Sequence, residues 1–316
     1  MRLAHPPGKL NFMCRITFAA VAAAAALSPL KAQQVPGRDL FLFPLGSLAE
    51  APALATAAGG GFWNPATIAL GKADRYRFAA DALQSPIEQG VTAQIGTVAM
   101  RLRSSITAGI SVAQSSVGDL IRTDTDPQSD PVSPEIPYRS TIYSGIVAAE
   151  RAGTTIGLAV RSRTGRIDVS QGAATSVDIG ATLDRPRDLP FRIAAASFLF
   201  APTARKRERA SSVAAIEAYL PQSGERDLRA GFSLQRDEGA GNERYLYASG
   251  RTGLLEIRGG LVRQQAYGSL TSRLRLGVGL RHAQYIVGIA REDGTSGLGA
   301  SYQFLLSTVM PMVVPR

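Results

Sequence analysis

The stretch RLRLGVGLR, residues 273–281, sets Leu274, Leu276, Val278 and Leu280 on one side of an extended chain. Arg273, Arg275, Gly277, Gly279 and Arg281 fall on the other. The same split recurs with Ile156, Leu158 and Val160 against Thr155, Gly157, Ala159 and Arg161. It recurs again with Val177, Ile179, Ala181 and Leu183 against Asp178, Gly180, Thr182 and Asp184, and with Leu228, Ala230, Phe232 and Leu234 against Arg229, Gly231, Ser233 and Gln235. One face is apolar and the other polar or small, over about nine to eleven residues. Strands of that length cross a bilayer at a tilt, whereas those of a soluble sandwich run about five to six residues. Beyond the N-terminal leader no apolar run approaches the ~20 residues of a membrane-spanning helix, so a chain of this kind enters a membrane as strands.

Segmenting the alternation gives strands near 75–83, 91–101, 105–113, 140–150, 154–163, 176–183, 191–200, 211–220, 228–235, 244–252, 254–263, 272–281, 284–290 and 296–307. The fold class is therefore all-β, a closed antiparallel transmembrane barrel of about fourteen strands. The connections after the third, fifth and seventh strands are long, SSVGDLIRTDTDPQSDPVSPEIPYR, TGRIDVSQGAAT and APTARKRERA, while LRS, RAG, TG and HA are tight. Such sorting by parity fits a barrel with long loops at one rim and tight turns at the other. Pro127, Pro131, Pro134 and Pro137 make the tract from Ser115 to Arg139 an extracellular loop.

The N-terminal residues MRLAHPPGKLNFMCR are basic and without acids, and lead into the short apolar run ITFAAVAAAAALSPL. This reads as a secretory signal peptide over residues 1–32, with cleavage after Ala32. Cys14 leaves with it, so the mature chain holds no thiol and must be stabilised by burial and backbone pairing. His282 is then the one remaining histidine, which leaves a metal site or a histidine-based triad almost no raw material. No cofactor, metal or catalytic residue is expected, and an enzyme is disfavoured. Losing the leader's four basic residues lowers the formal charge from +10 to +6, carried by scattered arginines, and nucleic acid is not expected as a partner.

Residues 33–73 precede the first strand and 74–316 hold the barrel. In GGGFWNPATIAL, Asn64 can cap a short helix, Pro65 suits its first position and Gly71 can close it. Such a helix is unstable alone and must pack on a larger body. SLAE, residues 47–50, fits a capping box opening a first helical turn before Pro52.

The order of leader, LFPLGSLAEAPALAT, glycine run, FWNPATIAL and barrel resembles the FadL-type outer-membrane proteins. These include transporters of long-chain fatty acids and aromatic hydrocarbons, and the related PorV and PorQ proteins of type IX secretion. The resemblance implies a cell outer-membrane location and a hatch that plugs the barrel, with Asn64, Pro65 and Ala66 matching its Asn-Pro-Ala motif. It implies passive uptake of a small hydrophobic ligand through a plugged lumen by a monomer surrounded by outer-membrane lipid. The chain is short for a fatty-acid transporter, so the alternative is a non-transporting barrel that docks secretion-system partners.

Phe62, Trp63 and Ile68 are the candidate ligand contacts beside the motif, and Tyr245, Tyr247, Tyr285, Tyr302 and Phe304 line a pocket or form interface girdles. Arg161, Arg192, Arg229, Arg258, Arg273, Arg275 and Arg281 are candidate lumen-facing bases. They make either an anion-attracting interior or a salt-bridged one with Asp178, Asp184 and Glu256 as partners, and the second reading carries more weight. Glu217 is placed with Val213, Ala215 and Tyr219 on the presumed outer face, which requires either a rim position or the opposite parity.

Overall fold

A strand that is apolar on one side and polar on the other must hide one of them, and a sheet that closes on itself does so without leaving an unpaired edge. The computed structural model describes residues 35–41, 45–56, 59, 61–69, 76–86, 89–118, 120, 136–186, 189–199, 211–220, 227–237, 241–266, 269–294 and 299–310. Fourteen strands run in chain order: β1 Tyr76–Gln84, β2 Val91–Arg103, β3 Ile106–Val117, β4 Tyr138–Arg151, β5 Thr154–Ile167, β6 Ser170–Asp184 and β7 Phe191–Phe198, followed by β8 Ser211–Tyr219, β9 Asp227–Asp237, β10 Gly241–Thr252, β11 Leu255–Ala266, β12 Ser269–His282, β13 Tyr285–Glu292 and β14 Ser301–Met310. Each pairs antiparallel with its sequence neighbours, and β1 pairs with β14 from Tyr76↔Met310 to Gln84↔Tyr302 to close the cylinder. All fourteen expected segments are strands. The leader and Gly71 lie outside the described residues.

The connection expected as a long loop after the fifth strand is instead a tight turn. β5 and β6 pair all the way to Ile167↔Ser170, leaving only Asp168 and Val169 between them. The run of Gly, Ser, Thr and Ala there has little apolar character, yet it is supported from inside. A Cβ at Gly165 would lie 2.0 Å from the Pro36 carbonyl oxygen, and one at Gly172 would lie 3.2 Å from a Val35 methyl. The tight connections after β9 and β11 share that end of the barrel, so loop length does not follow parity strictly.

Side chains facing out form an apolar band, with Ile156, Ile179, Leu246, Leu261, Leu280 and Leu306 among its members, all exposed. On β8 the parity is the reverse of the presumed one: Glu217 is buried on the inward face with Val213 and Ala215, while Ile216 points out. Apolar residues occupy both faces of that strand because the lumen beneath it holds a hydrophobic core.

That core is built around residues 35–69, the inner segment. It includes Phe41, Leu45, Leu48, Leu54, Phe62 and Trp63, packed on wall residues such as Leu83, Ile95, Ile142, Phe198 and Val262. Each such Leu, Ile or Phe removed from water contributes about 1.5–3 kcal/mol. The segment's regular structure is three 3-10 turns, Asp39–Phe41, Pro52–Leu54 and Pro65–Ala69. The capping box does not form. Leu48 and Ala49 have φ of 43° and 63°, which bars a helix start, and the Glu50 carboxylate accepts a 2.6 Å hydrogen bond from the Thr56 amide instead.

The inner segment runs along the lumen from one rim to the other. Arg38 meets Asp237 and Ser211 at the long-loop end, whereas the Ala69 carbonyl accepts from Arg101 near the β2–β3 turn at the opposite end.

Candidate functional site: the inner segment and its seat

The Asn-Pro-Ala turn is held by its own side chain and by the wall. The Ala66 amide donates to Asn64 Oδ1 at 3.0 Å, which is the cap expected of Asn, and Pro65 needs no donor at the first position. Asn64 Nδ2 donates to the carbonyls of Ala53 at 2.8 Å and Ala181 at 3.3 Å, tying two stretches of the inner segment to β6. Thr67 completes the turn, with its hydroxyl donating to the Asn64 carbonyl and accepting from the Gly61 amide.

Beneath this turn the wall is bare. Gly157 and Gly180 are direct cross-strand partners on β5 and β6. A Cβ at Gly157 would sit 2.3 Å from the Ala66 nitrogen, and one at Gly180 would sit 2.0 Å from Asn64 Oδ1. Gly109 on β3 makes the same room for Ile68, whose Cδ1 would lie 2.4 Å from an added Cβ. Three strands therefore give up side chains so that residues 64–68 can lie against the backbone.

One residue further along β5 from Val160, Arg161 pins the stretch before the motif. It is fully buried, ion-paired through Nε to Asp178 at 2.5 Å, and donates to Ser144 Oγ and to the carbonyls of Gly61 and Phe62. Its guanidinium carbon also lies 5.3 and 5.2 Å from the ring centroids of Phe62 and Phe198. Phe62, Trp63 and Phe198 form one aromatic cluster with centroids 4.7–5.4 Å apart, and Trp63 Nε1 donates to the Leu45 carbonyl. Phe62, Trp63 and Ile68 are thus all buried, and a ligand reaches them only if the segment shifts.

Five of the other six expected lumenal bases lie on inward positions and hold specific partners. Arg192 meets Glu217 at 2.8 Å, and Arg229 meets Asp227 and Glu217. Arg258 meets Glu50 of the inner segment at 2.9 Å and Glu256 at 2.8 Å. Arg273 and Arg275 share Glu243 and Glu292. Arg281 is exposed at the end of β12. Of the partners named from sequence, Asp178 and Glu256 are ion-paired as above, while Asp184 accepts from the Tyr219 hydroxyl. Glu50, Glu217, Glu243 and Glu292 were not foreseen. They lie tens to hundreds of residues from their arginines, and only the register brings them together.

The aromatic set divides. Tyr245 and Tyr247 face in, stacked with centroids 5.0 Å apart, and donate to the Ala49 carbonyl and the Glu217 carboxylate. Tyr285, Tyr302 and Phe304 face out. A small recess, with room for about one water, lies between the inner segment and β7–β11, lined by Glu50, Arg192, Glu217, Arg229, Glu256 and Arg258 among others. Among the described residues no group of three His, Cys, Asp or Glu side chains is placed to hold a metal.

No family model matches the chain, and no curated protein sequence matches it significantly. Among solved structures, a Pseudomonas aeruginosa FadL homologue superposes with a TM-score of 0.53 at 10% identity, over 83% of this chain and 96% of that one. The fold is that of the FadL-type barrels. At that identity the FadL likeness concerns architecture alone. A triple variant of the Rhodopseudomonas blastica porin gives a TM-score of 0.42 at 10% identity, covering 74% of this chain and 99% of its own, which is too loose to argue from. Within the FadL-type fold, the paired glycines 157 and 180 are the feature that sequence reading passed over. Alternation alone assigns them to a small, polar lumenal face, although two inward glycines on neighbouring strands already signal a close approach.

Proposed function

We propose that this protein is an outer-membrane barrel for passive uptake of small hydrophobic molecules, with residues 35–69 acting as a plug whose displacement opens the path. The observation that carries this reading is the aromatic cluster of Phe62, Trp63 and Phe198. It is an apolar, ring-lined surface at the junction of segment and wall, created when the segment seats and exposed when it leaves. The mechanism needs no cofactor, energy source or catalytic group. A greasy ligand occupies aromatic and aliphatic contacts next to the Asn-Pro-Ala turn and passes as the turn lifts from its glycine seat. The barrel acts as a monomer, with lipid as its surroundings and no role for nucleic acid.

A reversible lock tests the idea. An ideal Cβ at Gly277 would lie 3.0 Å from the Ala49 Cβ, near disulfide reach. In the Ala49→Cys/Gly277→Cys variant, oxidation should abolish exchange of a fluorescent long-chain fatty acid and a reductant should restore it. Exchange that ignores the lock removes gating by the segment.

The second reading is a non-transporting barrel that docks secretion-system components, and it is favoured by the salt bridges that tie the segment to the wall, Arg258 to Glu50 and Arg38 to Asp237, and leave little open space beside it. Lipid analysis of purified protein separates the two. Co-purified fatty acids or hydrocarbons support uptake, and a stoichiometric large envelope partner without them supports docking.

A further inference from the structure

Every carboxylate in the fourteen strands lies on an inward position, from Asp81 on β1 to Glu292 on β13. The outward positions carry charge only as arginine. Six of them, Arg139, Arg166, Arg236, Arg244, Arg263 and Arg291, sit exposed at the long-loop end of their strands, while Arg151 is exposed at the other end of β4. Two pairs are direct cross-strand neighbours on the outer surface, Arg139↔Arg166 and Arg244↔Arg263. Side chains so placed have Cβ atoms about 4.5–5.5 Å apart, and like charges there repel. Arg236 is diagonal to Arg244, since its own partner on β10 is Asn242.

Among the described residues nothing offsets that repulsion. The described acids next to them in sequence, Asp237 and Glu243, point into the lumen and are engaged by Arg38 and by Arg273 and Arg275. Among the described residues, Arg236, Arg244 and Arg263 take part in no ion pair. Immediately below them on the same outward face lie Leu234, Leu246 and Leu261, all exposed. The surface thus presents three guanidinium groups above a strip of aliphatic side chains, a pattern that matches an amphiphile with an anionic head and hydrocarbon tails. Guanidinium forks bind phosphate oxygens in pairs, which distinguishes phosphate from a diffuse counter-ion cloud.

We propose that Arg236, Arg244 and Arg263 form a binding site for a membrane lipid with an anionic phosphate headgroup, its acyl chains lying along Leu234, Leu246 and Leu261. The site rests on the outer-membrane placement proposed above, and its occupant is a lipid of the leaflet that meets the long-loop rim. The Arg139–Arg166 pair on the opposite side of the barrel lacks the aliphatic strip, since Thr141 and Thr164 lie beneath it on the outward face.

The test uses purified full chain in a zwitterionic detergent, with retained lipid counted by native mass spectrometry after addition of phosphatidylglycerol, phosphatidylcholine or inorganic phosphate. Phosphatidylglycerol should be retained in preference to phosphatidylcholine and be released as salt rises. Loss of two charge-assisted contacts in Arg244→Gln/Arg263→Gln should weaken retention by about tenfold or more. Heat-modifiable gel migration of the variant should match the parent, since both side chains are exposed. Equal retention of the two lipids, retention unchanged in the variant, or capture of inorganic phosphate in place of lipid would each overturn the site. The membrane reading fails separately, if the chain stays monodisperse once detergent is removed.

Discussion

The inner and outer faces of β9–β12 use the same residue types for opposite ends. Facing in, Arg229, Arg258, Arg273 and Arg275 each hold a carboxylate, and Arg275 also lies 4.8 Å from the centroid of the Tyr245 ring. Facing out, Arg244 and Arg263 stand side by side and, among the described residues, form no ion pair. The lumen buries charge, and a buried guanidinium without its counter-charge costs several kcal/mol, so pairing there is compulsory. At the outer rim the charge is open to its surroundings, and pairing is optional. An arginine's role in this barrel therefore follows from which way its strand position points.

The comparison would break most visibly at Arg161. Asp178→Asn leaves that guanidinium buried without its partner and should lower stability by about 3–5 kcal/mol, seen as a lower temperature for loss of the folded band on gels. Replacing both, Arg161→Leu with Asp178→Leu, should cost less than the single change, because no charge remains buried. Next in size is Gly157→Val. Its side chain would collide with the backbone of Pro65 and Ala66, costing about 1–3 kcal/mol and exposing the inner segment to protease while the barrel stays folded.

Glu50→Gln should have a smaller effect, about 1 kcal/mol, since Arg258 keeps Glu256. Its signature is faster cleavage within residues 45–56 under limited proteolysis. Smallest is Arg244→Gln, expected to change stability by no more than about 0.5 kcal/mol, in keeping with an exposed side chain that has no ion-pair partner among the described residues. An outer-face change as costly as Asp178→Asn would erase the distinction between the faces.

Alternation made the strands legible, and it assigned the correct face wherever one side was unambiguously greasy, as on β5, β6, β9 and β12. It misled on β8, where Val213 and Ala215 face a packed lumen and Ile216 faces out, so both sides look apolar and only Glu217 hinted at the answer. The β5–β6 hairpin was read as a loop because its stability comes from Val35 and Pro36 beneath it, residues more than a hundred positions away. Asn64 and Pro65 announced a capped turn from local chemistry alone. Its seat on Gly157 and Gly180, and the clamp from Arg161, depend on a register that no local window contains. The Ser47–Glu50 box failed for the same reason: Glu50 had a better partner in Arg258, 208 residues along the chain.

The account rests on a closed cylinder whose outer side chains meet hydrocarbon while the inner ones pack on residues 35–69. Because Cys14 is the one cysteine in the sequence, single cysteines can be placed at 274 through 278 on β12 in a Cys14→Ser background and spin-labelled in lipid bilayers. Labels at 274, 276 and 278 should collide with oxygen dissolved in the bilayer, while those at 275 and 277 should be shielded from it. Uniform collision with a water-soluble relaxer along all five positions would contradict the account.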